Sequence, residues 1–191
     1  MYSEDGNITD EAEVKALQDV PGWQEFYDSS GHLEPDSYLF DAQRFSHKVY
    51  AMLDAFQSRH RYVVWLDCDI EVIKRFGQAL IKRLLDGEMC AYLGRNGCYT
   101  ETGFLAFDTH HDDFPEFEKR FRSFYDDRYI YMLDAFIDCV AFDHARQGLS
   151  QKNLTPEAMG MMDVFSTSPI SPYMVHNKGQ GHGQYKGGKS E

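Results

Sequence analysis

The sequence predicts an α/β chain with a mixed sheet flanked by helices, and three observations carry that expectation. Short β-branched and aromatic runs at 61–66, 89–93 and 102–107 have the length of strands. Segments with apolar residues at helical spacing lie between and after them. The two kinds of segment alternate along the chain, the pattern of a sheet covered by its own connecting helices. A length of 191 residues suits one domain with a core large enough to fold without staples.

Taken in order, Thr9 followed by Asp10, Glu11 and Glu13 is a helix start that ends at Pro21 and Gly22, and 23–37 reads as loop. Phe45, Val49, Leu53 and Phe56 recur at helical spacing, so 38–58 is an amphipathic helix feeding the strand at 61–66. That strand, Tyr-Val-Val-Trp-Leu after Arg61, is apolar on both faces and reads as a buried parallel strand. Phe76, Leu80 and Leu84 mark the next helix, with Gly87 as its C′ residue. Strands at 89–93 and 102–107 enclose a loop, helices follow at 112–126 and 130–146, and Tyr173 to His176 is a short strand candidate.

Composition excludes several classes. The net charge of −12 argues against a general nucleic-acid footprint. No stretch approaches the ~18 apolar residues of a membrane span, and Met-Tyr-Ser-Glu-Asp-Gly is not a signal peptide. Cys68, Cys90, Cys98 and Cys139 lack paired metal-type spacing, Cys68 reads as a small buried residue, and a reducing, cytoplasmic setting is expected. Charge is uneven: eleven acids face the single base Lys15 up to Gln43, whereas Lys178, Lys186 and Lys189 face only Glu191 from Val164 onward. Residues 1–175 are expected to form one domain, with 176–191 a Gly/Lys/His-rich tail or lid.

Chemistry concentrates in four places. The strand at 61–66 ends on Asp67 and Asp69, at the carboxyl end where open α/β sheets bind ligands. Such oxygen pairs hold Mg²⁺ or Mn²⁺ beside substrate phosphates; the plain alternative is a helix cap or Asx turn. The loop Gly94 to Phe104 offers Arg95 as a planar fork for phosphate and Glu101 as an acceptor of sugar hydroxyls, or simply an exposed pair. Asp134 and Asp138, four apart on one expected helix face, would meet an acceptor hydroxyl, or merely form a solvated face. In the tail, His176 would neighbour a metal and Lys178 and Lys186 would supply charge to an anion, unless it is only a chain end.

The succession of a strand ending in Asp-x-Asp, then Glu-Thr-Gly-Phe, Asp-Ala-Phe-Ile-Asp and His-x-Lys-Gly resembles nucleotide-sugar-dependent glycosyltransferases of the GT-A fold. The resemblance runs from Phe40 onward and implies a Rossmann-like GT-A domain moving a sugar from a nucleoside-diphosphate donor to a hydroxyl acceptor. It implies Asp67, Asp69 and His176 as ligands of Mn²⁺ or Mg²⁺, and Arg44, Lys48, Lys178 and Lys186 as donor contacts. It sets Asp138, with Asp134 beside it, at the acceptor or the reacting sugar: the general base if the configuration inverts, a stabiliser if it is retained. GT-A domains open with a strand and a glycine-bearing loop, and nothing before Tyr2 plays that part; Met1 to Asp5 read as the end of a second strand. The expectation is therefore a chain that lacks the opening strand. The Lys-Pro-Trp ending of one branch is also absent.

Two other readings compete. A binding module derived from a transferase, without catalysis, fits the missing strand. A haloacid-dehalogenase-type phosphatase also starts from Asp-x-Asp, but there Glu71 stands where Thr or Val is wanted, and the motif comes sixty residues late.

Overall fold

The computed structural model describes residues 20–30 and 38–177, so the expected first helix, Met1 to Asp5 and the tail beyond Asn177 lie outside the described residues. Its elements in chain order are α1 (Trp23–Ser30), a 3₁₀ turn (Tyr38–Phe40), α2 (Ala42–Phe56), β1 (Tyr62–Leu66), β2 (Ile70–Val72) and α3 (Gln78–Leu85). There follow β3 (Cys90–Leu93), β4 (Glu101–Asp108), α4 (Phe114–Asp126), a second 3₁₀ turn (Tyr129–Met132), α5 (Asp138–Ala145), β5 (Gln151–Asn153), α6 (Val164–Thr167) and β6 (Met174–His176).

The principal sheet has the order β1-β4-β3-β5. β4 runs antiparallel to both β1 and β3, while β5 runs parallel to β3, so the sheet is mixed as expected. β1 itself corrects the sequence reading: it is an antiparallel, half-buried strand at the sheet edge. An unbroken apolar run reports that both faces of a strand are covered, not which way its neighbour runs. Both faces are covered here. Val63 and Trp65 of β1, Leu105 and Phe107 of β4, and Cys90 and Tyr92 of β3 meet α1, α2, α4 and α5. The alternate residues Tyr62, Val64, Leu66, Phe104, Ala106, Ala91 and Leu93 meet α3, α6 and Met174. Side chains in a strand alternate between faces, so one short sheet builds two cores, each fully buried Leu or Phe contributing about 1.5–3 kcal/mol by transfer. No described helix is long and apolar enough to cross a membrane.

α2 forms as its periodicity predicts, capped by the Asp41 carboxylate on the Arg44 backbone N–H at 3.0 Å, with Phe45, Val49, Leu53 and Phe56 buried. α3 ends on Asp86 and Gly87, both at positive φ, where glycine was expected to close it. Three expectations fail. The supposed loop at 23–37 begins with helix α1, which seats Trp23 and Phe26 in the core; fewer than three turns give too little periodicity to read. Cys68 is exposed, because it sits in the turn between β1 and β2. The helix expected at 130–146 is broken: after the 3₁₀ turn, 133–137 is irregular, and α5 starts only at Asp138. Ala135 and Ile137 are drawn into a cluster with Phe45 and Val140, and the Phe136 N–H donates to Leu39 O at 2.7 Å, which a continuous helix would forbid.

Candidate active site

The site lies at the carboxyl end of β1. The Asp67 N–H donates to Gly103 O at 2.9 Å, extending the β1/β4 ladder by one pair and fixing Asp67 beside Gly103. Trp65, two residues back and so on the same face, donates from its indole N–H to Asp67 Oδ1 at 2.7 Å. A turn then carries the chain into β2, which pairs with β6 so that Ile70 stands opposite His176. That pairing, with the Asn177 N–H on Asp69 O at 2.9 Å, delivers the last described segment to the Asp pair across more than a hundred residues of sequence. His176 Nε2 lies 3.1 Å from Asp69 Oδ2.

Beneath these groups is a bare Cα. A Cβ added at Gly103 would lie 3.2 Å from Glu101 Oε1, 3.4 Å from Asp67 Oδ2 and 3.5 Å from His176 Cε1, so only glycine leaves this floor open. Two polar atoms here are buried without a hydrogen-bond partner: Asp69 Oδ1 and His176 Nδ1. Buried polar atoms are nearly always paired; others, such as Trp23 Nε1 and Tyr125 Oη, also make no hydrogen bond, but among the described residues only here do an orphaned carboxylate oxygen and an orphaned imidazole nitrogen sit on touching residues. Among the described residues no three side chains stand together as a finished metal cage. The Asp67, Asp69, Glu101 and His176 donors nevertheless fit a hard divalent ion in type.

The wall toward α2 is built by Lys48. Its ammonium lies 2.8 Å from Asp67 Oδ1 and 2.9 Å from Asp138 Oδ2, and donates to Thr102 O at 3.0 Å and Thr102 Oγ1 at 3.1 Å. The Thr102 hydroxyl in turn donates to Asp138 Oδ2 at 2.6 Å. Burial, the largest influence on this lysine, works against its charge, yet the two carboxylates outweigh it and hold the ammonium above the ordinary lysine range. Arg95 is turned inward too: its Nε donates to Tyr99 O at 2.9 Å and its Nη1 lies 3.7 Å from Glu101 Oε2. Three contact sets make up the site, Lys48 with Asp67 and Asp138, Arg95 with Glu101, and His176 with Asp69, so four carboxylates stand against two cations, a formal excess of two negative charges with His176 neutral.

The structure thus gathers Asp67, Asp69, Glu101, His176, Lys48, Arg95 and Asp138. It does not bring Asp134 in on a shared helix face: Asp134 is exposed in the irregular stretch, whereas Asp138 is buried as the first residue of α5. Arg44 stands one turn before Lys48 on α2. Lys178 and Lys186 lie outside the described residues. Sequence reasoning missed Trp65, Thr102 and Gly103. The i, i+2 spacing of Trp65 and Asp67 was a readable signal; nothing in the sequence announced the Thr102 bridge. No family model, no curated protein and no solved structure matches this chain.

Proposed function

We propose that this chain is a metal-dependent glycosyltransferase of the GT-A type, moving a sugar from a nucleoside-diphosphate donor to a hydroxyl acceptor. The observation that carries the proposal is the approach of Asp67, Glu101 and His176 to the bare Cα of Gly103, with Asp69 paired to His176 and Asp69 Oδ1 and His176 Nδ1 left unpartnered. The two excess negative charges match one divalent ion, Mn²⁺ or Mg²⁺, which Asp67, Asp69 and His176 would hold. When bound, that ion neutralises charge developing on a leaving diphosphate, a large catalytic contribution. When His176 carries its proton on Nε2 it donates to Asp69, which orients both, and Nδ1 keeps a bare lone pair. Glu101, steadied by Arg95, is the acceptor for a sugar hydroxyl beside the floor. Asp138 borders the same cluster from the acceptor side, 2.9 Å from the Lys48 ammonium.

A second reading, a binding module without catalysis, is favoured by one observation: Asp138 Oδ2 is already committed to Lys48 and Thr102, which is not how a free general base is presented. Donor turnover with Mn²⁺ separates the readings. A transferase releases nucleoside diphosphate, a haloacid-dehalogenase-type phosphatase releases inorganic phosphate, and a binding module releases neither. The direct test of the metal is titration calorimetry on Asp69→Ala. Mn²⁺-dependent binding of nucleoside diphosphate is expected to vanish while the melting curve is kept; unchanged affinity removes the metal assignment.

A further inference from the structure

Lys48 stands out because its ammonium has no capacity left for a ligand. An ammonium has three protons, and Lys48 has four protein oxygens within 3.1 Å: Asp67 Oδ1, Asp138 Oδ2 and both oxygens of Thr102. A lysine that reached a donor diphosphate would have to abandon two carboxylates that it alone bridges. The Lys48 side chain is 16% exposed and the Asp138 side chain 5%, against 30% for Asp67, so the Asp138 charge above all would be left poorly solvated.

The consequence for Asp67 is directional. Oδ1 receives the Lys48 ammonium and the Trp65 indole N–H, at 2.8 and 2.7 Å. That leaves Oδ2 as the oxygen beside the open floor at Gly103, near Glu101 and His176. A carboxylate clamped on one oxygen presents the other at a fixed place and angle, the role that outer groups play for ligands in metal centres.

We infer that Lys48 is a positioning residue, not a donor contact: bridging Asp67 and Asp138, it fixes Asp67 so that Oδ2 alone is offered to a divalent cation. It also ties the cation site to α5, since Asp138 opens that helix and shares the ammonium. Without Lys48, Asp67 and Asp138 repel across the vacated space, and Asp67 turns away from the floor. The inference rests on the proposed metal site.

The test is Mn²⁺ titration calorimetry, without any nucleotide, on the wild-type chain and on Lys48→Met, Lys48→Arg and Trp65→Phe, each checked by its melting curve. Lys48→Met is expected to weaken Mn²⁺ binding about tenfold or more, the scale for losing a group that orients a ligand. Lys48→Arg keeps a charge able to span both carboxylates and should recover most of that loss, which a role in bulk packing alone would not produce. Wild-type affinity or tighter in Lys48→Met overturns the inference, because a lysine that merely competed with the cation would release affinity when removed. Should Lys48→Met fail to fold, Trp65→Phe carries the test: it removes the other donor to Asp67 Oδ1 with no change of charge, and unchanged Mn²⁺ affinity there overturns the inference. A wild-type chain that binds no Mn²⁺ overturns the metal reading itself and this inference with it, whereas wild-type binding indifferent to Lys48 overturns this inference alone.

Discussion

At the start of β1, Arg61 grips Asp108 with Nε at 3.0 Å from Oδ1 and 3.2 Å from Oδ2 and Nη2 at 2.8 Å from Oδ2, while the His110 N–H adds a further bond to Oδ1 at 3.1 Å. At the other end of the strand, Asp69 meets His176 at 3.1 Å, yet one oxygen and one ring nitrogen of the pair are buried and bare. Both ends carry an acid held against a base. A depression lined by Lys82, His110 and His111 surrounds the first pair, so concavity points to the clasp and not to the candidate site. Saturation separates them: where every acceptor has its donor, the pair is a clasp between β1 and β4, and where valence is left over, the pair is the one proposed to take a ligand.

The comparison is strained most at Asp138, which belongs to the ligand end yet has Oδ2 held by both Lys48 and Thr102. Asp138→Ala strips the buried Lys48 ammonium of one of its two counter-charges, and the expected destabilisation is about 3–5 kcal/mol, read from chemical denaturation. Asp69→Ala, at the unsaturated pair, should change stability by no more than about 0.5 kcal/mol. Two acids of one site would then part cleanly into a structural anchor and a ligand. With the gentler Asp138→Asn, sugar transfer is expected to fall by about 10² or more if Asp138 also serves the reaction, with donor binding nearly unchanged.

The clasp gives a smaller effect with a definite sign in pH. Burial, the largest single influence on Asp108, raises its carboxyl, but the Arg61 hydrogen bonds, the His110 N–H and the Arg61 charge together hold it below the ordinary value. A carboxylate depressed in the folded state stabilises above its unfolded pKa of ~3.9, and that stability is lost as pH falls through the folded value. The urea midpoint should therefore drop from about pH 4 downward, and Asp108→Asn should start lower at neutral pH and decline less steeply in acid. Parallel curves for the two proteins would mean that the clasp adds nothing to acid sensitivity.

How much of this was legible follows from what each signal encodes. Four turns of helix with a capping Asp41 made α2 readable, and a short apolar run bounded by two acids made β1 readable as a strand. The same run could not say that β4 would lie antiparallel to it, because the residues that cover a strand's faces look alike for either direction of pairing. His176 and Glu101 stand out because their residue types suit a metal or a sugar. Lys48 stands out through the resemblance, as a donor contact, and nothing in the sequence shows that the tertiary position of Thr102 and Asp138 sets both against its ammonium. The break before α5 was illegible for a related reason, since Leu133, Ile137 and Val140 keep a spacing that a helix would also use.

That break sets the last and smallest effect. Were 130–146 one helix, Asp134 and Asp138 would lie a turn apart and both would face an acceptor, with Asp134 as partner to Asp138. In the structure Asp138 is 4% exposed at the head of α5, while Asp134 sits exposed in the irregular stretch before it. An exposed acid outside a hydrogen-bonded network contributes little, so Asp134→Asn should alter stability by less than about 0.5 kcal/mol. On transfer it should have little effect beside the loss in Asp138→Asn, measured with the same donor and acceptor on both variants. A loss in Asp134→Asn equal to that in Asp138→Asn would restore the shared face that the sequence spacing suggested, and would require the stretch between the 3₁₀ turn and α5 to coil into helix when the acceptor is bound. Circular dichroism with and without acceptor would then have to show the added turn, and its absence would leave Asp134 acting on the substrate from the loop itself.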